Sequence, residues 1–430
     1  MRGLVRSFLL RVVEIDESED ESRRVPSGKK RPVFHLHELL KGPRALPIRF
    51  GHRRIREHLP LKSTKCRLHI FIYSEGANPM TLNMRAAVLH GARDIRIEGH
   101  LRPKLDAGMV LLRIRRVGIC GSDLHYFEHG YCAAFVPDRP FILGHELTAE
   151  VVAVGEGVDS VQVGKRVTVN PARSCGFCEY CKAGRPNLCG HIIMLGSAST
   201  TPPTDGAFAD FVTVRSDQCH ELPAEVDDGL GAMIEPFAVA LHAVKRAGDV
   251  SGKRVLVIGA GTIGLLVASA ARTFGGTPVA VSDIVASRRA KALEFGAEAA
   301  LDPTASDLHE SVRELTGTGF DVVFEASGSP AALRGTFDLV RRGGTIVQIG
   351  TLGTADIPIP VNQVMINEIS FVGSMRYGNV FDEAIRLVTS KRVNLQPFIS
   401  SVFPLEESAE ALRLAGDKSQ TLKIQVQLNS

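Results

Sequence analysis

Residues 253–264, KRVLVIGAGTIG, constrain the fold more than any other stretch of the chain. A compact branched apolar run ends in Gly259, Gly261 and Gly264 and continues into TIGLLVASAARTFG, an apolar-rich helix stopped by glycine. The GxGxxG spacing alone says little, but between a strand and a helix it acquires a mechanism. The first glycine turns the chain tightly, the second lets backbone approach a pyrophosphate, and the third brings helix onto strand. The phosphates would lie at the helix start, by Thr262 and Ile263, where free N–H groups and the helix dipole favour anions. The next strand, PVAVSDI, ends in Asp283, placed to accept hydrogen bonds from ribose hydroxyls and to repel a 2′-phosphate. NAD is therefore the expected cofactor, with NADP possible because Arg288 and Arg289 follow closely.

From about residue 233 the short runs AEAALD, DVVFEAS, GGTIVQIG and ISFVGS alternate with helical stretches such as VASRRAKALEFG. That alternation predicts an α/β fold with a Rossmann-type, doubly wound parallel sheet. Residues 84 to about 220 read differently. MRAAVLHGARDIRIEGH predicts two strands with a glycine turn at Gly91, and GMVLLRIRRVGICGSD, ELTAEVVAVGEGV and VGKRVTVNP keep strand character, so this part is β-rich. The tail adds a helix, VFDEAIRLVTSK, and a last strand, TLKIQVQL.

At 430 residues the chain has room for two or three cores. No apolar run approaches the roughly 20 residues of a membrane span, so a soluble chain with no membrane partner is expected. The start, MRGLVRSFLLRVV, lacks a small-residue cleavage site, and the acidic EIDESEDES after it argues against a transit peptide. A cytoplasmic location follows. The net charge of +4 conceals 17 Lys/Arg against 9 Asp/Glu in residues 1–83. A basic arm can bind nucleic acid, but this one lacks sustained periodicity and clustered aromatics. It is expected to be a disordered or dispensable extension, with no nucleic-acid partner.

Four of the eight cysteines, Cys175, Cys178, Cys181 and Cys189, share the run SCGFCEYCKAGRPNLC with spacing C-x2-C-x2-C-x7-C. Short spacers let one loop wrap a tetrahedral Zn2+, and four protein ligands leave no open position, so such a site is structural. A disulfide pair or an iron–sulfur cluster are the other uses of these thiols. Chemistry must then be sought elsewhere. GICGSDLHY offers Cys120, Ser122, His125 and Tyr126; FILGHELTAE offers His145 and Glu146; MIEPFAVALHAV offers Glu235 and His242. His242 is expected to pack on its helix, and Cys66, Cys132 and Cys219 have no evident role.

Together with the cofactor loop, these stretches resemble the medium-chain zinc-dependent alcohol and polyol dehydrogenases over roughly residues 84–430. The resemblance implies a GroES-like catalytic domain over 84–236 and 374–430, a structural-zinc lobe at 171–195, and an NAD(P)-binding domain over 237–373. It implies two Zn2+ per chain. Cys120, His145, Glu146 and Glu235 would surround the catalytic ion, with Asp123 steadying His145, and the four cysteines would hold the structural one. Glu235 stands where simple alcohol dehydrogenases place a cysteine, which points to the polyol branch. NPARSCGFCEYC, IEPFAVALHAVKRAG and AGDKSQTLKIQV resemble most closely the L-idonate 5-dehydrogenases, which interconvert L-idonate and 5-keto-D-gluconate. A sorbitol- or xylitol-type polyol dehydrogenase is the alternative. By the same resemblance Ser122 and His125 relay the proton, and Tyr126, Glu235, Arg376 and Tyr377 orient the substrate. A homodimer or homotetramer is the expected assembly. One departure is Ala149, where the family signature has glycine.

Overall fold

The computed structural model describes residues 83–417 and 421–429, together with two short segments that pair antiparallel, Ile15 opposite Leu68 and Asp16 opposite Arg67. The expected disorder of the basic arm and the position of Cys66 lie otherwise outside the described residues. Residues from Met80 onward form one compact unit.

That unit begins with the hairpin of β1 (Asn83–Gly91) and β2 (Asp94–Leu101), in which Gly91 pairs Asp94. The turn lies one step beyond the expected glycine, at Ala92–Arg93, and the left-handed residue is Arg93 at φ 59°. β3 (Met109–Gly118) is the hub of a seven-stranded sheet. Its strand character stops before Cys120, which caps α1 (Gly121–His129) instead of continuing the strand. The reason is local: the Asp123 carboxylate accepts the Cys120 N–H at 2.9 Å, and Gly130 ends the helix in the left-handed region at φ 79°.

β4 (Phe141–Ile142) pairs with β1, and β5 (Glu146–Val154) runs antiparallel to β3 and next to β6 (Arg166–Val169). Ala149 is buried in β5 opposite Ile114 and Val167. The cysteine-rich segment leaves the sheet through a short hairpin, β7 (Ala172–Arg173) with β8 (Ile193–Met194). β9 (Phe211–Arg215) and β10 (Cys219–Glu221) complete the first pass. Next come α2 (Asp228–Ala232) and α3 (Ile234–Arg246), the latter buried along Phe237, Leu241 and Val244.

The parallel sheet is built from β11 (Val255–Ile258), β12 (Val279–Ser282), β13 (Ala299–Leu301), β14 (Phe320–Glu325), β15 (Val340–Gln348) and β16 (Ser370–Gly373), in spatial order β13-β12-β11-β14-β15-β16. Counted within this sheet, the order is 3-2-1-4-5-6, the doubly wound arrangement of a Rossmann domain. All four residues of β11 and of β12 are buried, as strands covered by helices on both faces require. α4 (Thr262–Thr273) follows β11 directly. The chain then returns: β17 (Ile399–Pro404) and β18 (Lys423–Gln427) enter the first sheet, β18 lying between β17 and β3. The strand-rich, GroES-like domain is thus closed by the last strand of the chain.

Candidate metal centres and cofactor site

The cofactor loop has the geometry its glycines predict. Gly259 has φ 99°, and a Cβ there would press on the Ser327 backbone, 2.9 Å away, where the loops after β11 and β14 diverge. A Cβ on Gly264 would overlap the Gly259 carbonyl, so the helix closes on the turn only with glycine. Gly261 precedes α4 without a side-chain cap, which leaves the first N–H groups of the helix free for an anion. Ile263 packs into the core, and the Thr262 hydroxyl donates to the Leu422 carbonyl at 2.7 Å, so Thr262 offers the cofactor only backbone. Asp283 is buried and stiffens the crevice, its two oxygens each accepting a 2.8 Å bond from Ala260 N–H and Val285 N–H. The Arg288 guanidinium lies 3.8 Å from that carboxylate and reaches over Gly261.

The four sulfurs of Cys175, Cys178, Cys181 and Cys189 lie within 4.8 Å of one another. Cys178–Cys181 and Cys175–Cys181 are 3.5 and 4.0 Å apart, bracketing the edge of about 3.8 Å that a Zn–S distance of ~2.3 Å sets in a tetrahedron. A disulfide needs ~2.05 Å, so these thiols are not paired. N–H groups of Cys178, Cys175 and His191 point at the sulfurs of Cys175 and Cys189 at 3.3–3.4 Å. Burial pushes the Cys175 thiol up, but the N–H donors of Cys178 and Phe177 outweigh it and lower it to about 6. The donor set fits a closed zinc site.

A second set forms where α1 begins and β5 begins. Cys120, His145 and Glu146 bring donor atoms within 4.8 Å of one another. Asp123, fully buried, fixes both ends: one oxygen accepts the Cys120 N–H and the other the Gly144 N–H at 3.1 Å. Its carboxylate is 3.8 Å from His145 Nδ1, beyond hydrogen-bond reach, and that buried nitrogen is without a partner. A buried imidazole nitrogen without a hydrogen bond, in a histidine whose ring also comes within 4.8 Å of a thiol and a carboxylate, fits a metal ligand without its ion. Burial, with the Glu146 charge next, raises the Cys120 thiol to about 11.

Glu235, in the first turn of α3, is buried beside this trio but outside the set of mutually close donors. Burial raises its carboxyl to about 8; His145 opposes this, while Glu146 and Cys120 add to it. Tyr377 is within hydrogen-bonding reach of Glu235, and its hydroxyl also faces Met194 Sδ at 3.9 Å. Arg376 beside it has φ 53° and is half-buried, and its guanidinium has no hydrogen-bonding partner among the described residues. Ser122 is half-buried and bonds to the Cys120 sulfur. His125 is exposed one turn further along α1. The Tyr126 hydroxyl is already engaged, accepting the Ala198 N–H at 3.0 Å, and its ring packs edge-on against Phe141. His242 belongs to neither metal set.

One residue of the site escapes the sequence reading. Lys423 Nζ donates to both oxygens of Glu146 at 2.7 Å and to the Ile119 carbonyl at 2.9 Å, all buried. Burial alone would lower this ammonium, yet the charges of Glu146 and Cys120 outweigh it and raise it. Gly118 makes room, since a Cβ there would overlap the Glu146 carboxylate.

A dinucleotide crevice joined to one closed thiolate site and one mixed Cys/His/carboxylate site defines a class, the zinc-dependent nucleotide oxidoreductases. Residues 106–224 match the family model of the alcohol dehydrogenase GroES-like domain, and residues 262–390 that of the zinc-binding dehydrogenases. The sorbitol dehydrogenase of Bacillus subtilis is 37% identical over 81% of this chain and 98% of its own length. The L-idonate 5-dehydrogenase (NAD(P)(+)) of Escherichia coli K12 is 36% identical over 74% and 91%. The crystal structure of an E. coli L-idonate 5-dehydrogenase superposes with a TM-score of 0.76 at 34% identity, covering 80% of this chain and 98% of that one. The chain belongs to the medium-chain zinc-dependent alcohol and polyol dehydrogenases, with Zn2+ and NAD(P) as cofactors. Among the described residues, no helix is long and apolar enough to cross a membrane.

Proposed function

We propose that the chain transfers hydride between NAD(P) and a secondary alcohol of a sugar acid, interconverting L-idonate and 5-keto-D-gluconate. The observation that carries this reading is Arg376. A half-buried guanidinium without a hydrogen-bonding partner, beside Tyr377, whose hydroxyl reaches Glu235, suits a substrate with a carboxylate at one end and hydroxyls along its length. Sorbitol or xylitol is the second reading, favoured by the equal likeness to sorbitol dehydrogenases.

In this reading Cys120, His145 and Glu146, completed by Glu235, hold the catalytic zinc, and the four cysteines hold the structural one. Lys423 engages both oxygens of Glu146, so that carboxylate offers an ion less charge than an unpaired one would. Bound zinc supplies Lewis-acid polarisation of the substrate hydroxyl. Ser122, half-buried, takes the proton, and His125, exposed three residues on along the same face of α1, passes it to solvent. Glu235, Tyr377 and Arg376 orient the substrate, while Tyr126, buried and bonded to Ala198, packs behind α1 in the core. Asp283 favours NAD and Arg288 admits NADP.

The protein would act in the cytoplasm, which the free thiols among the described residues support. It would assemble as a homodimer or homotetramer, supported by the open edge strand β16 and the nearby exposed Val361, Met365 and Ile366.

Initial rates on L-idonate, 5-keto-D-gluconate, sorbitol and xylitol with each nucleotide test the assignment. L-idonate should give the highest kcat/KM, and Arg376→Gln should raise KM for L-idonate while sparing sorbitol. A higher kcat/KM for sorbitol, or equal effects of the substitution on both, overturns the sugar-acid reading.

A further inference from the structure

Away from the metal sites and the glycine loop, a cleft of about 320 Å³ opens between the cysteine lobe, the end of α3 and the segment after β16. Its lining carries Arg185, His242, Lys245 and Arg246 and no carboxylate. Lys245 is paired with Glu383 at 2.5 Å, and Arg246 spends only Nε on the Gly373 carbonyl at 2.9 Å. The Arg185 side chain has no partner among the described residues. Three permanent cations against one carboxylate leave two positive charges on one small concavity. Like charges do not gather round a cleft without cost, and an anion is what would offset it.

The cleft has fixed walls. Asn187 Nδ2 donates to the Met375 carbonyl at 3.0 Å, and Asn379 Nδ2 to the Gly184 carbonyl at 3.5 Å, tying the lobe to the 373–380 segment. The Gly378 backbone lies against the His242 imidazole, where a Cβ would come within 3.3 Å of Nδ1. Burial, then the charges of Arg246, Arg185 and Lys245, hold the His242 imidazole below its ordinary value, so the four groups share one field. None of Gly259–Gly264, Cys120, His145 or Glu235 lines the cleft. Its volume is at the lower end of small-molecule sites, about 300–1,000 Å³.

We infer that this cleft is a second ligand site, binding a small oxyanion with phosphate or carboxylate groups. The site joins three parts of the fold: α3, which carries Glu235 in its first turn; the segment that carries Arg376 and Tyr377; and the lobe that holds the four cysteines. An anion seated there clamps all three together.

The test is calorimetric titration of inorganic phosphate, and separately of citrate, into the zinc-loaded full chain with saturating NAD, at ionic strength balanced with chloride. Saturating NAD occupies the pyrophosphate loop and removes it as a competing site. One saturable site per chain is expected for at least one anion. Arg185→Gln and Lys245→Gln should each weaken binding about tenfold, the scale of one charge-assisted hydrogen bond, while Lys182→Gln leaves it unchanged. Retention of two zinc per chain in each variant shows that the lobe is intact. Absence of saturable binding for both anions, or unchanged affinity in both cleft variants, overturns the inference.

Discussion

Lys423→Met isolates the buried ion pair beside the Cys120, His145 and Glu146 donor cluster. The Lys423 side chain is 5% exposed and that of Glu146 1%, and the ammonium spends three hydrogen bonds on two carboxylate oxygens and the Ile119 carbonyl. Methionine keeps the length and apolar stem of lysine but removes the charge, leaving Glu146 uncompensated. Removing one partner of a buried pair costs about 3–5 kcal/mol, because the remaining charge stays desolvated. For a unit of about 350 residues, an unfolding entropy of ~2.1 cal/mol/K per residue converts this into a fall in Tm of roughly 4–7 °C. Thermal unfolding followed by circular dichroism, with the Cys120 cluster of every variant emptied by chelation and the four-cysteine zinc retained, reads the shift. Adding Glu146→Gln to Lys423→Met removes the stranded charge and should recover most of the loss. If the single and double variants melt together, the cost does not come from an unpaired carboxylate and the reasoning fails.

Cys178→Ser removes one corner of the thiolate set and should lower bound zinc from two to one per chain by elemental analysis, with a marked drop in Tm. Gly264→Ala drives a methyl into the Gly259 carbonyl and should raise KM for NAD more than tenfold; an unchanged KM would contradict the close approach of helix and turn. Asp321 accepts bonds from Arg254 N, Nε and Nη2 and from Arg341 Nε, and the Arg254 bonds, with burial opposing and Arg341 adding, hold its carboxyl well below the ordinary range. A depressed native value means its stabilisation is present above the unfolded value near 4 and fades as pH falls through the native one. Asp321→Asn should therefore cost ~1–3 kcal/mol at pH 7, with the gap to the parent closing progressively below about pH 4 in urea unfolding.

The cofactor crevice and both metal sets were legible because their residues cluster in short stretches whose spacing carries the geometry. The parallel sheet was legible through its β-branched runs. Lys423 was not: in KIQVQ it occupies an alternating strand, where a lysine ordinarily marks the solvent face. Only the insertion of β18 between β17 and β3 buries it, and that pairing joins residues some three hundred positions apart. The strand reading of GICGSD missed the helix start, because the helix depends on Asp123 reaching back to Cys120. Glu235 beside the trio, and the commitment of Tyr126 to Ala198, are likewise products of tertiary packing. The basic cleft draws its cations from three separate segments, so no local pattern announces it.

The late arrival of Lys423 bears on how the protein is made. Glu146 leaves the ribosome 277 residues before its counter-charge, about 14–55 s earlier at the usual 5–20 residues per second. Through that interval the parallel sheet can be completed, but β3 keeps a bare edge where β18 belongs, and the site's carboxylate has no cation. A chain released before β18 therefore carries both an unpaired strand edge on β3 and a buried carboxylate without its counter-charge.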